Sequence, residues 1–488
     1  MKKGWRTVSE TSKYTKSKGA AYSVAAALLT ASISVSSGEI VSSTDDQKDI
    51  AVTIYNDNLA MVREQRDIKL PKGEVELALR EVSALIIPET AILRSKTEPG
   101  SLNVLEQNFD FDLLTPQSLL TKYIGRDIQV ILQDPTNQNN KVETATVLAT
   151  NNGTVLKIGD RIETNYPGRM VFPDVPGNLR DKPTLIVTLN NERAKTHTTE
   201  LNYLTSGLGW RADYVAELNE DDSQLDLSGW VTLTNSSGTS YNNALLQLVA
   251  GDVGRVPSMD APMRLEALST VSAKPRSAMR EEEFFDYHLY TLNRRTTLRN
   301  NQTKQVSLLN AESVPVKKEY YLNANTQNWF YRQYQGDSHQ LKVDVYVQFE
   351  NEKENGLGMP LPKGTVRAYK NDSQGRPQFV GEDRIDHTPD KEAVRLKLGN
   401  AFDVTAERYQ TEYQRLANNI YQSEYEIILK NAKEEPVEVI VNEFMPGDWR
   451  MISESAPHVK ESSTLAQWTI QVPPKNQTVL NYRVEVRN

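Results

Sequence analysis

Apolar side chains fall at every second position in run after run of this chain, from Val75, Leu77 and Leu79 to Leu480, Tyr482, Val484 and Val486. Period-two alternation sends successive side chains to opposite sides of an extended backbone, so such runs predict strands with one face in a core and one in water. Val343, Val345, Val347 and Phe349 make a third clear case. Asn481, Arg483, Glu485 and Arg487 fill the gaps of the last run, the polar outer face that an antiparallel sheet presents. Between the runs stand "LPKG", "NSSG" and "NNG", clusters that turn the chain. The expected fold class is mainly β, a multi-domain β-sandwich architecture with few helices.

One stretch breaks the β pattern. In "TPQSLLTKYIG", Thr115 can cap a helix, Pro116 suits its first position, and Gly125 can take the left-handed exit conformation. Leu119, Leu120, Tyr123 and Ile124 supply a single apolar face. Four or five short strands follow in "RDIQVILQD", "KVETATVLAT", "TVLKIGDRIET" and "GRMVFPD", an element order that resembles a small SH3- or Sm-like barrel.

At 488 residues the chain is about three times the ~150 residues of a usual domain. The expected divisions are a signal peptide over 1–36, an N-terminal β region over 37–112, a small barrel-like insertion with one helix over 113–175, and central β-sandwich strands over 176–254. A flexible linker or loop over 255–283 and a C-terminal β-sandwich over 284–488 complete the scheme. The linker is read from "RVPSMDAPMRLEALSTVSAKPRSAMREEE", which has three prolines and no sustained periodicity. The signal peptide is read from Lys2, Lys3, Arg6, Lys13, Lys16 and Lys18 followed by the uncharged "AAYSVAAALLTASISVS". Ser34 and Ser36 offer small residues for cleavage just before Ser37, and the Ala-rich stretch is too short and weakly apolar for a membrane span.

Export changes the charge. Loss of residues 1–36 takes away six positive charges and one negative, moving the formal net charge from -8 to -13. An acidic chain with no basic patch argues against nucleic acid and anionic lipid as partners, because both are held through clustered Lys and Arg. There is no cysteine, which removes disulfides, thiolate metal sites and a Cys nucleophile, and a core of this size can stabilise its domains without them.

The densest gathering of reactive groups is "FVGEDRIDHTPDKEAVRLKLG", residues 379–399, which holds Glu382, Asp383, Asp386, His387 and Asp390. A catalytic reading would make His387 a general base oriented by Asp386 or Asp383. The alternative is a polar turn between "PQFVG" and "AVRLKLG", since Asp, Thr and Pro are turn-forming residues. The turn is preferred because no nucleophile accompanies the base, which leaves Asp383, Asp386 and His387 as weak candidates only. His197, His288, His339 and His458 are scattered without metal-ligand spacing, and "NEDDSQLDLS" at 219–228 lacks the pattern of a calcium loop and reads as a solvated turn. No phosphate-binding loop, dinucleotide fingerprint or nucleophile elbow occurs. No metal or cofactor is therefore expected. Paired carboxylates for glycoside hydrolysis leave no sequence spacing to find.

"YLTSGLGWRADY" and "SGWVTLTNSSGTSYNNALLQLVAGDV" set Trp210, Tyr214, Trp230 and Tyr241 among alternating strand residues, where aromatics fill a sandwich core or stack on sugars; the core is the expectation. With "LGMPLPKGTVRAYKND" and the 379–408 segment, these stretches resemble the bacterial domain-of-unknown-function family DUF4139, related to the C-terminal part of mucoidy inhibitor A-like proteins. The resemblance runs from about Ile50 to the end and implies an exported, β-rich envelope protein. It carries over no catalytic or binding residue, and the long coiled-coil insertion of some relatives is absent.

These readings lead to an exported, non-catalytic protein of the cell envelope, periplasmic or at the cell surface, that binds envelope protein or glycan. The alternative is an envelope polysaccharide hydrolase using paired carboxylates. An enzyme requires a deep pocket with converging titratable groups, whereas an interaction protein requires open faces or sheet edges.

Overall fold

Leu480, Tyr482, Val484 and Val486 are all at most 1% exposed in the strand Asn476–Arg487, and the polar residues between them face outward. The same alternation buries Val75, Leu77 and Leu79 in Gly73–Arg80. The computed structural model describes residues 39–487 apart from 57, 111–113, 134–139, 152, 165, 177–178, 252, 255–278 and 325–338. Residues 1–36 and the larger part of the expected linker lie outside the described residues, while Met279–Phe284 forms a strand. Among the described residues there are 31 strands and one α-helix, so the chain is mainly β.

Three sheets enclose the first core. An eight-stranded sheet joins Met279–Phe284, Tyr287–Leu292, Tyr241–Ala250, Gln47–Tyr55, Leu59–Leu70, Lys195–Thr205 and Ile92–Ser95 in that order, with Thr296–Leu298 also paired to Tyr241–Ala250. A four-stranded sheet runs Ile40–Ser42, Gly73–Arg80, Thr184–Asn191, Leu102–Asp110. A five-stranded sheet runs Gln302–Pro315, Gln224–Asn235, Leu208–Leu218, Gly364–Asn371, Pro377–Ile385. Ile54, Val62, Leu77, Tyr214 and Tyr290 belong to the one hydrophobic cluster these sheets share. Gln47–Tyr55 lies parallel to Tyr241–Ala250, with Ile54 opposite Leu248, so early and central segments complete one another.

The second core lies inside a nine-stranded sheet whose order is Asp448–Glu454, Asn476–Arg487, Ile420–Asn431, Ala393–Ala417, His339–Glu350, Lys317–Asn323, Val437–Phe444, Leu465–Val472, Val459–Ser462. The sheet curls until its two ends meet. Trp468 Nε1 donates to Glu454 Oε2 at 3.0 Å and Trp449 Nε1 to the Ser463 carbonyl at 2.8 Å, bonds that tie the first strand of the order to the last two. His339–Glu350 and Ala393–Ala417 pass from one core to the other: Val347, Phe349, Val394 and Leu396 pack in the first, Val343, Val404 and Ala406 in the second. Register shifts at Lys342/Asp344 and Val345/Tyr346 mark the crossing, as β-bulges do where a strand is re-aimed.

The third cluster belongs to the small module. Its helix is Pro116–Lys122, with Thr115 Oγ1 accepting from the Ser118 N–H at 3.0 Å and Gly125 at φ 79°, the left-handed exit that the sequence anticipates. Five antiparallel strands follow in the order Arg161–Thr164, Val155–Ile158, Asn140–Ala149, Asp127–Gln133, Arg169–Val171, around Leu120, Tyr123, Ile128, Val130 and Leu156. The last strand returns beside the first, the arrangement of a small barrel.

Candidate functional site

The stretch 379–399 forms the strand Pro377–Ile385, a turn, and the start of Ala393–Ala417. Gly381 is demanded by crossing: a Cβ there would sit 2.2 Å from the Leu398 carbonyl oxygen. Asp383 lies in the strand rather than in the turn, and its two carboxylate oxygens accept from the N–H groups of Arg384 at 2.8 Å and Lys397 at 2.7 Å. Asp386 and His387 are exposed in the turn, where His387 Nδ1 accepts from the Lys363 N–H at 3.2 Å. The Thr388 hydroxyl donates to the Asp386 carbonyl at 3.0 Å. These bonds fasten the backbone on either side of the turn.

Three of the remaining histidines, His197, His288 and His458, are also held locally. His197 is fully buried between Ser95 Oγ at 3.0 Å and the Arg193 carbonyl at 3.1 Å. His288 meets Glu281 at 3.0 Å and His458 meets Glu454 at 2.8 Å, while His339 begins a strand. Among the described residues no group of three or more His, Asp or Glu side chains is gathered to hold a metal ion.

Of the four aromatics, three are core residues. Trp210, Tyr214 and Tyr241 are 6%, 0% and 1% exposed, and the Tyr214 hydroxyl donates to the Pro362 carbonyl at 2.8 Å. Trp230 departs from them, at 40% exposure on the outer face of the five-stranded sheet. Leu225, Leu227, Val231 and Leu233 occupy the inward phase of Gln224–Asn235, which sends Trp230 outward with Ser228, Thr232 and Thr234. That phase is readable in "LDLSGWVTLTN" and is the signal by which Trp230 can be told from a core residue.

The side chains beside the indole are fixed by one another. Across the ladder Trp230 stands opposite Asp213 and Ser307, and Thr232 opposite Arg211 and Gln305. Thr232, 2% exposed, donates to Asp213 Oδ2 at 2.7 Å and accepts from Gln305 Nε2 at 3.2 Å. Asp213 also receives Arg211 Nε at 3.2 Å and Arg367 Nη1 at 3.3 Å, and Arg367 Nε lies 3.2 Å from Glu382. Glu382 thus joins the 379–399 stretch to this face. Further along the same two strands, Gly209, Trp210, Arg211, Thr232 and Thr234 line a shallow hollow of about 280 Å³ with Asn56 and Asn58, to which Trp230 does not contribute.

A family model described as a domain of unknown function, DUF4139, matches residues 199–488. The chain belongs to that family. No curated protein matches the sequence. All five strands of the sheet that carries Trp230 fall within the DUF4139 region, which begins inside the strand Lys195–Thr205. Strands before that point, Gln47–Tyr55 and Leu59–Leu70 among them, complete the first core outside it.

The DUF4139 region also contains a cleft between the five-stranded and nine-stranded sheets. Asp222, in the turn after Leu208–Leu218, receives Lys318 Nζ at 2.7 Å from the nine-stranded sheet and Lys370 Nζ at 2.6 Å from its own. Burial works against its charge, but the hydrogen bonds and charges of the two lysines outweigh it and hold the Asp222 carboxyl below the usual range. On either side are open depressions of about 230 and 240 Å³, below the ~300 Å³ at which ligand pockets begin. The acidic groups that line the first are already engaged: Glu319 by Lys317 at 2.7 Å, Glu435 by Lys433 at 3.3 Å, Glu438 by Gln471 at 2.6 Å and Asp221 by Ser223 at 2.7 Å. The sequence reading of 219–228 as a solvated turn describes Asp221 but not Asp222, which turns in to join the two sheets.

Proposed function

We propose that this DUF4139 protein is an exported, non-catalytic component of the cell envelope, acting through its surfaces on protein or glycan. Export rests on the basic stretch and uncharged run before Ser37. The observation that carries the binding reading is Trp230, a large amphipathic ring left exposed among mutually fixed polar groups on a sheet face. Exposed aromatics in such settings are contact residues, because covering them recovers apolar area while the polar groups around them set orientation. The lining of the Asp222 cleft supports the absence of catalysis: carboxylates committed to lysines and amides are poor proton carriers. Among the described residues no helix is long and apolar enough to cross a membrane.

The test has two arms. Cell fractionation with N-terminal sequencing is expected to find the chain in an envelope fraction beginning near Ser37, and intact Met1 in the cytoplasm defeats export. Incubation of the purified protein with cell-wall glycans and peptides is expected to release no product; sustained turnover of an envelope polysaccharide replaces this reading with the hydrolase.

A further inference from the structure

The geometry points to the Trp230 face of the five-stranded sheet as a binding site for a neutral polysaccharide chain, an assignment that rests on the surface-binding reading above. The indole offers a flat apolar surface to the C–H face of a sugar ring, and it is the 40% exposed member of an otherwise polar row. Sugar hydroxyls both donate and accept, so their site needs both kinds of partner held in place. Asp213 supplies acceptor oxygens, while Arg211 and Gln305 supply donors. Their positions are set by Thr232, whose hydroxyl is buried and bonded on both sides.

Charge selects among chains. On this face Arg211 and Arg367 pair with Asp213 and Glu382, and exposed Arg384, opposite Thr365, is outnumbered by Glu217 and Asp226, so no net positive field remains to draw in nucleic acid or an acidic polysaccharide. Arg211 and Thr232 also line an open hollow of about 280 Å³ further along the same strands, which suits a chain lying along the surface rather than an enclosed small molecule. With neighbouring strands ~4.8 Å apart, five strands give a platform roughly 19 Å across, long enough for several sugar units.

The experiment uses the full chain after signal removal, titrated with soluble xylan, mannan, β-glucan and chito-oligosaccharides, with alginate as the acidic control, read by calorimetry and tryptophan fluorescence. At least one neutral series should bind, more tightly with chain length, and changing little when salt is raised tenfold. Trp230→Ala should weaken that binding about 10-fold or more with an unchanged melting curve, and Phe402→Ala, at a 94% exposed site on the other sheet, should leave it unaltered. Binding of alginate alone that disappears in salt, equal binding by Trp230→Ala, or no binding of any neutral probe at millimolar concentration overturns the assignment. If no probe binds but cross-linking in the envelope captures a protein at Trp230, the glycan assignment falls and the surface-binding reading stands; turnover of a probe removes both.

Discussion

Arg408 and Glu443 pair inside the curled nine-stranded sheet, each side chain 1% exposed and each on a strand not adjacent to the other's. The guanidinium also lies 3.8 Å above the Tyr425 ring and donates to the Tyr482 hydroxyl at 3.2 Å. The pair therefore crosses the core and fixes the two walls in one relative position. Glu443→Gln leaves a buried guanidinium without its counter-charge and should cost about 3–5 kcal/mol, whereas Arg408→Met with Glu443→Leu together should be neutral or stabilising. Urea unfolding of both variants decides the matter: a mild single variant, or a double variant worse than the single, contradicts this account.

Asp222 makes stability depend on pH. Its folded carboxyl titrates below the unfolded one, so its contribution is complete above the ordinary carboxylate range and is lost as pH falls through the lowered folded value. Asp222→Asn should thus be less stable than wild type at neutral pH, and the two curves should converge in acid. Denaturation at a series of pH values measures this directly. A gap that persists unchanged into strong acid would assign the effect to packing instead of charge.

Gly381 should tolerate no larger residue. The 2.2 Å approach to the Leu398 carbonyl involves backbone, which cannot swing aside as a long side chain can. Gly381→Ala is expected to cost about 1–3 kcal/mol through displacement of Pro377–Ile385 from Ala393–Ala417. A thermal melt, with Gly375→Ala as a comparison at an open turn that also has positive φ, separates collision from loss of glycine's conformational freedom.

The strands were legible because period-two alternation is a local signal, and the helix because Thr115, Pro116 and Gly125 punctuate it within a few residues. Which strands pair was not, since the parallel contact of Gln47–Tyr55 with Tyr241–Ala250 depends on shape matching across most of the first core. Buried asparagines were equally hidden. Asn191, Asn235 and Asn431 each end a strand, accept the N–H two residues on, and donate to carbonyls of neighbouring segments. In sequence each looks like an ordinary turn residue. Trp230 was misread for a different reason: its size suggests burial, and only its phase against Val231 and Leu233 shows the outward side.

The turn at 386–390 is the place where reactive residue types and structural importance separate. Asp386 and His387 are exposed and contribute local bonds, so Asp386→Asn and His387→Gln should each cost no more than ~0.5–2 kcal/mol. Asn351, fully buried beneath the same turn, donates to the carbonyls of Met359 at 2.9 Å and Pro389 at 2.8 Å and accepts from the Gly358 N–H at 3.1 Å. Asn351→Ala strands those groups away from water and opens a hole, a cost of at least about 2–4 kcal/mol and larger than either turn variant. Melts of the three variants beside wild type give the order, and the glycan and peptide hydrolysis screen run on the same samples tests for chemistry. If wild type turns over a substrate and His387→Gln loses that activity at unchanged melting temperature, the turn is a catalytic site and the ranking by stability has missed its purpose.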